Sequence, residues 1–140
     1  MKIFLNFYDS LFISIIYLKD SSNVRLLRLK VIAGHGLAKK DIFGASDPYV
    51  RIDLRRNDDE AVIDSVYTKT KKKTLNPKWD EEFIFRVIPN HHHLLLEVFD
   101  ENRLTRDDFL GLVELPLNNI PSERTSRNFT HKYYILRPRR

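Results

Sequence analysis

RLLRLKVIAG, residues 25–34, sets Leu27, Leu29 and Val31 in alternation with Arg28 and Lys30. A period of two is the mark of a β-strand with one buried face and one wet face. Working outward, the same patterning returns in PYVRIDL (48–54), VIDSVYTKT (62–70), EFIFRVI (82–88), HLLLEVF (93–99), LGLVELPL (110–117) and HKYYIL (131–136), which makes seven strand candidates. Between them run turn-rich connectors such as GHGLAKKDIFGASD, RRNDDEA, TLNPKWD and DENRLTRDD, and only a short turn near LNNIPSE hints at helix. Many short strands joined by loops predict an all-β antiparallel sandwich and exclude a parallel α/β sheet.

The two ends of the chain fit this pattern less simply. Residues 3–18, IFLNFYDSLFISIIYL, are apolar, but Asn6, Asp9 and Ser10 interrupt the run. It is shorter than the ~20 residues that span a bilayer, and no small-residue cleavage site follows. Within it LFISIIYL (11–18) is β-rich, and DSSN (20–23) supplies a turn into RLLRLKV, giving a hairpin and an eighth strand. At the other end, Arg137, Arg139 and Arg140 around Pro138 read as a solvated tail.

At 140 residues the chain fits one domain with a core of its own. It has no cysteine, which excludes disulfides, thiolate metal sites and a thiol nucleophile. The net charge of +5, concentrated around Lys69, Lys71, Lys72 and Lys73, points to anionic partners and says nothing of fold. No Ser-His-Asp order with a supporting motif, phosphate-cradling glycine loop or HExxH is present, so this chain is not read as an enzyme. Nucleic acid is disfavoured because the lysines are not interleaved with exposed aromatics. His91, His92 and His93 form a loop tripeptide without the spread of ligands that a closed metal site needs, and read as a hairpin turn.

The acidic residues gather in KKDIFGASDPYV (39–50), with Asp41 and Asp47, and in VFDENRLTRDDFLG (98–111), with Asp100, Asn102 and Asp108. Both stretches are loops beside strands, so their carboxylates stand at strand ends. Ca²⁺ takes about six to eight oxygens from flexible loops, and these two stretches have the composition of such a cup. Along an extended backbone Asp100 and Asn102 face one side while Glu101 faces the other. Each acid alone also suits ordinary turn chemistry, and Asp47 before Pro48 suits a strand start.

GLAKKDIFGASDPYV, TKTKKKTLNPKWDEEFIF and LLLEVFDENRLTRDDFLG, in that order, resemble a C2 domain over about residues 25–136. AKKDIFGASDPYV and VFDENRLTRDDFLG are similar to the C2 domain at the amino terminus of HECT-type ubiquitin ligases with WW domains. The resemblance implies an eight-stranded antiparallel C2-type sandwich with calcium loops at one end. It divides the chain into an extension, 1–22, and a C2 domain, 23–140, that lacks the usual last strand after LRPR. Residues 11–18 then either fill the vacant place as a replacement edge strand or belong to an extraneous extension.

The resemblance also implies the site. Asp41, Asp47, Asp100, Asn102 and Asp108 match the Ca²⁺ ligands, with Lys40 and Glu101 offering carbonyls. Asn102 in place of the usual aspartate removes one negative charge. Ile42, Phe43 and Leu104 are placed at loop tips for membrane insertion. Arg51, Tyr67, Lys69, Lys71 and Trp79 match a basic groove for anionic lipid, where Asp53 replaces a position often basic. The expected function is calcium-dependent binding to anionic phospholipid membranes, phosphatidylserine and phosphoinositides, by a cytoplasmic monomer recruited to plasma or endosomal membrane. The HECT domain of a parent ligase is a further partner. The alternatives are a calcium-independent protein-interaction or autoinhibitory module, and phosphoinositide binding through the basic groove.

Overall fold

The computed structural model describes residues 8–19, 23–38, 46–122 and 131–139. These residues form eight strands: β1 (Ser10–Lys19), β2 (Arg25–His35), β3 (Pro48–Arg56), β4 (Val62–Tyr67), β5 (Lys78–Val87), β6 (His92–Asp100), β7 (Asp108–Pro116) and β8 (His131–Ile135). They build two four-stranded antiparallel sheets, ordered β5-β2-β1-β8 and β4-β3-β6-β7. Each of the seven runs of alternating residues overlaps one of these strands, and VIDSVYTKT overshoots most, its last three residues lying beyond β4. LNNIPSE is not helical where it is described: a turn at Asn118 and Asn119 is followed by an isolated bridge at Ser122.

Alternation explains the sandwich. Leu27, Leu29 and Val31 of β2 are fully buried and pack against Val50, Ile52 and Leu54 of β3 and Leu94, Leu96 and Val98 of β6 in one core. Fully burying a side chain of this kind contributes ~1.5–3 kcal/mol, so the facing rows define which side of each strand turns inward. β1 follows the same rule, with Leu11, Ile13, Ile15 and Tyr17 inward and Phe12 outward. Residues 11–18, expected at an edge, instead lie inside the sheet, paired with β2 on one side and β8 on the other. The physical reason is their apolar content on both faces: Ile16 is as buried as the core row, which suits an interior strand. The edges of that sheet are β5 and β8.

The tail also departs from expectation. Residues 136–137 return along β7, where Leu112 and Arg137 exchange two backbone hydrogen bonds of 2.8 and 2.9 Å. Gly111 permits this approach: its φ is +153°, and a Cβ there would meet the Leu136 Cβ at 2.6 Å. Arg139 then lies 4.1 Å from the centre of the Phe109 ring and pairs with the buried Glu97 at 3.0 Å. The two arginines are therefore clasped to the sheet, Arg137 also lying 3.7 Å from Glu114.

Candidate functional site

Sheet register brings the acids of distant loops to one end. In the β4-β3-β6-β7 sheet Pro48 pairs with Asp100, and Asp100 pairs with Asp108, so the start of β3, the end of β6 and the start of β7 form one row. Asp100 is 5% exposed, and its Oδ1 accepts the Asp47 N–H at 2.8 Å. The Glu101 N–H donates to the Asp47 carbonyl at 2.9 Å. Asp47 Oδ1 in turn accepts the Lys73 N–H at 2.7 Å. Backbone donors thus orient both carboxylates, and charge-assisted bonds of this kind are about twice as strong as neutral ones.

Asn102 completes a different part of the acidic end, in the loop between β6 and β7. Its Nδ2 donates to the Arg106 carbonyl at 2.9 Å and to Asp108 Oδ2 at 3.2 Å, and its backbone N–H donates to Asp107 Oδ1 at 2.9 Å. An aspartate at 102 would set like charge against Asp108, whereas the amide bonds to it directly. Asp107, passed over in the sequence, is the organiser of this loop: its other oxygen accepts the Tyr49 hydroxyl. Burial first, then the bond and charge of Asp107, and then Tyr67 and Glu101, push the Tyr49 hydroxyl well above its ordinary pKa. It stays a neutral donor at any physiological pH.

Of the remaining expected residues, Asp41, Ile42 and Phe43, with Lys40, lie outside the described residues. Leu104 is 97% exposed on the loop that joins Asp100 of β6 to Asp108 of β7. Among the described residues no three acidic or histidine side chains converge closely enough to hold a metal ion. Asp100 and Asp108 are opposite each other in register, Asp47 stands one residue before Pro48 in the same row and is tied to Asp100 by its amide, and all three side chains present only oxygen, the donor type a hard cation takes.

The basic residues divide into two settings. Arg51 stands over the Tyr67 ring at 5.9 Å, but its Nε is bonded at 2.9 Å to Asp53, a carboxylate with no exposure. Asp53 also accepts from Arg55 at 3.1 Å and from Ser65 Oγ at 2.6 Å. Burial alone would raise Asp53, but the bonds from Ser65, Arg51 and Arg55 outweigh it and hold the carboxyl below its ordinary pKa. The Arg51 charge is therefore compensated within the fold. Tyr67 and Lys69 are exposed and Lys71 is half-buried. The lysine run leaves the groove after Lys69 and wraps the acid row: the Lys71 N–H donates to the Pro48 carbonyl at 3.0 Å, and Lys72 lies 3.7 Å from Glu101.

Trp79 is a correction. It is 4% exposed, sits in the core, and donates its indole N–H to the Lys69 carbonyl at 3.0 Å. Its role is to fix the backbone under Lys69, and it offers no face to a ligand. The three histidines form the predicted turn and the start of β6. Ile88 N–H donates to His92 Nδ1 at 2.9 Å, while His93 lies 2.7 Å from Asn57 Oδ1 and 3.2 Å from Glu60.

A two-sheet antiparallel sandwich with acidic loops at one end is the architecture of a C2 domain, and the C2 sequence profile matches residues 25–133. The chain belongs to the C2 domain family. It is 61% identical over 127 residues, 91% of the chain, to E3 ubiquitin-protein ligase Nedd-4 of Drosophila melanogaster. Against NEDD4 of Rattus norvegicus the identity is 58% over 128 residues, 90% of the chain. The chain spans 13% and 14% of the length of these two relatives. Among solved structures, a C2 domain of RIM from Drosophila superposes with a TM-score of 0.72 at 21% identity, covering 91% of this chain and 97% of that one, which speaks for the fold alone. The third C2 domain of the KIAA1228 protein gives 0.70 at 28% identity, covering 92% and 87%.

Proposed function

We propose that this chain is a calcium-responsive membrane-targeting module of a NEDD4-like ubiquitin ligase. The observation that carries the reading is the pairing of Asp100 with Asp108, with Asp47 bonded to Asp100 through its amide, beside an almost fully exposed Leu104. Asp41 and Asn102 complete the proposed Ca²⁺ ligand set, and Ile42 and Phe43 join Leu104 as insertion residues. When bound, the ion supplies positive charge that cancels the repulsion between the acid row and anionic headgroups.

The protein's own part is preorganisation. Asp100 and Asp47 are held by the Asp47 and Lys73 amides before any ligand arrives, so little ordering remains to be done on binding. Leu104 contributes up to ~1.5–3 kcal/mol if fully buried in the acyl boundary. Lys69, Lys71 and Lys73 flank the row, and basic residues near an anionic surface contribute on the order of 1 kcal/mol each. Arg51 and Tyr67 are the weaker half of the lipid face, because Asp53 already holds Arg51. In the parent ligase the module would carry a cytoplasmic enzyme to plasma or endosomal membrane, and would contact the HECT domain when calcium is low.

Sedimentation with phosphatidylserine vesicles tests this. Pelleting should require calcium and be lost in chelator. Asp108→Asn, at an exposed position, should weaken it strongly while leaving the melting temperature in chelator unchanged. Pelleting indifferent to calcium would move the function to the lysines and refute the calcium reading.

A further inference from the structure

The outer face of the β5-β2-β1-β8 sheet carries a cluster of aromatic rings at the same end as the acid row. Register places it there. Ser10 pairs with His35 on one side and with Ile135 on the other, and His35 is the last residue of β2 before the first acidic loop. The turn at Asp9 ties in the same end, its N–H donating to the Gly36 carbonyl at 3.0 Å and its carbonyl accepting from Leu136 at 2.9 Å.

Two residues further along, Phe12 pairs with Tyr133 and stands between three rings: Tyr133 at 4.4 Å, His131 at 5.6 Å and His35 at 6.5 Å between centres. His35 and Tyr133 are 5.2 Å apart. At the border nearest the acidic loops the surface is apolar and open, with Tyr8 72% and Ile135 70% exposed and Tyr133 41%. At the opposite border the next row places Lys30 across Ser14 from His131, then Arg28 across from Ile16. Glu82, opposite Lys30 in register, pairs with Arg28 at 3.3 Å, and Asp9 sits in the turn just before Ser10.

We propose that this face is a second lipid contact, seated in the headgroup layer of an anionic bilayer when the acidic end is docked. It rests on the reading above that this end faces a membrane, and it adds the orientation: the sandwich leans toward the sheet that contains β1 and away from Arg51 and Tyr67 on the other sheet, which this pose leaves out of the contact. Three properties select a bilayer as the occupant. Tyrosine rings with an apolar body and a polar tip favour the interfacial layer. The flanking charge of Lys30 is complementary to acidic headgroups, and the nearby Glu82 is already paired with Arg28. The surface is continuous with the loop end, so one plane can touch both.

The test uses the full chain and vesicles of phosphatidylcholine with phosphatidylserine, in calcium. Tyr8→Ser with Ile135→Ser should lower the partition coefficient on the order of tenfold, since both side chains leave the interface. The melting temperature should hold, since both are mostly exposed. Undiminished binding by that double variant, with wild type bound, overturns the lean and leaves the loop reading standing. No binding by wild type overturns both. A Tyr8→Trp variant gives an independent readout: its indole should be quenched by lipid spin-labelled near the headgroup, against the buried Trp79 as an internal unquenched control. A pelleted but unquenched Tyr8→Trp chain contradicts the proposal. So does lipid-free dimerisation that Ile135→Ser abolishes, which would assign the face to a second copy.

Discussion

Replacing Asp53 by asparagine should destabilise the domain at neutral pH and leave it little changed in acid. The carboxylate has no exposure and accepts from Arg51, Arg55 and Ser65 at 2.9, 3.1 and 2.6 Å. Removing one member of a buried ion pair costs ~3–5 kcal/mol when the partner is trapped. Here the guanidinium groups are 36% and 25% exposed and can turn to water, which reduces the expected loss to ~2–3 kcal/mol. For a domain of this size that is a fall in Tm of roughly 6–12 °C. The sign with pH follows from the depressed folded-state pKa of Asp53. The unfolded chain binds more protons, so the stabilisation is complete above the unfolded value near ~4 and disappears as pH falls through the folded value. Thermal melts followed by circular dichroism should show a wide gap between wild type and Asp53→Asn at pH 7, closing toward pH 3. An equal Tm at pH 7, or a gap that does not narrow in acid, would refute the assignment of Asp53 as the charge that holds Arg51.

Other outcomes follow from the same contacts. Leu104→Ser should reduce vesicle affinity several-fold without changing Tm, because the side chain is 97% exposed; an equal affinity removes it from the lipid contact. Gly111→Ala should lower stability by more than ~2 kcal/mol, through the positive φ and the 2.6 Å approach to Leu136; chemical denaturation that finds it neutral would show that the tail does not pack there. Burial first, then the charges of His91, Arg56 and His93, lower the pKa of His92. Its unfolded form therefore binds more protons just below pH ~6.5, so stability should fall as pH drops from there, and His92→Gln should flatten that slope in pH-dependent melts.

The strands were legible because alternation is local: each run declares its buried side without reference to its neighbours. The loop acids were legible as two groups for the same reason, and the register that joins Asp100 to Asp108, and to Asp47 through its neighbour Pro48, follows once β3, β6 and β7 are paired. Part of what escaped depends on partners distant in sequence. Arg139 has no local pattern, and only the buried Glu97 and the Phe109 ring draw it onto the sheet. Trp79 did carry a signal, being in phase with Phe85 and Val87 on the core side of β5; its neighbourhood of charges obscured it. Asp107 was masked by the doublet with Asp108: successive residues point oppositely, so one acid serves the row and the other bonds Tyr49 and Asn102. The interior place of β1 required knowing that β8 would pair with its far side.

The central claim is that Asp47, Asp100 and Asp108 act together on one calcium ion. Two-dimensional amide NMR of the chain titrated with Ca²⁺ tests it most directly. Saturable shifts should appear at residues 46–48, 71–73 and 100–108, while Asn57, Asn90 and His93 at the opposite end stay in place. A titration that leaves residues 100–108 unmoved, or that shifts both ends alike without saturation, would contradict it.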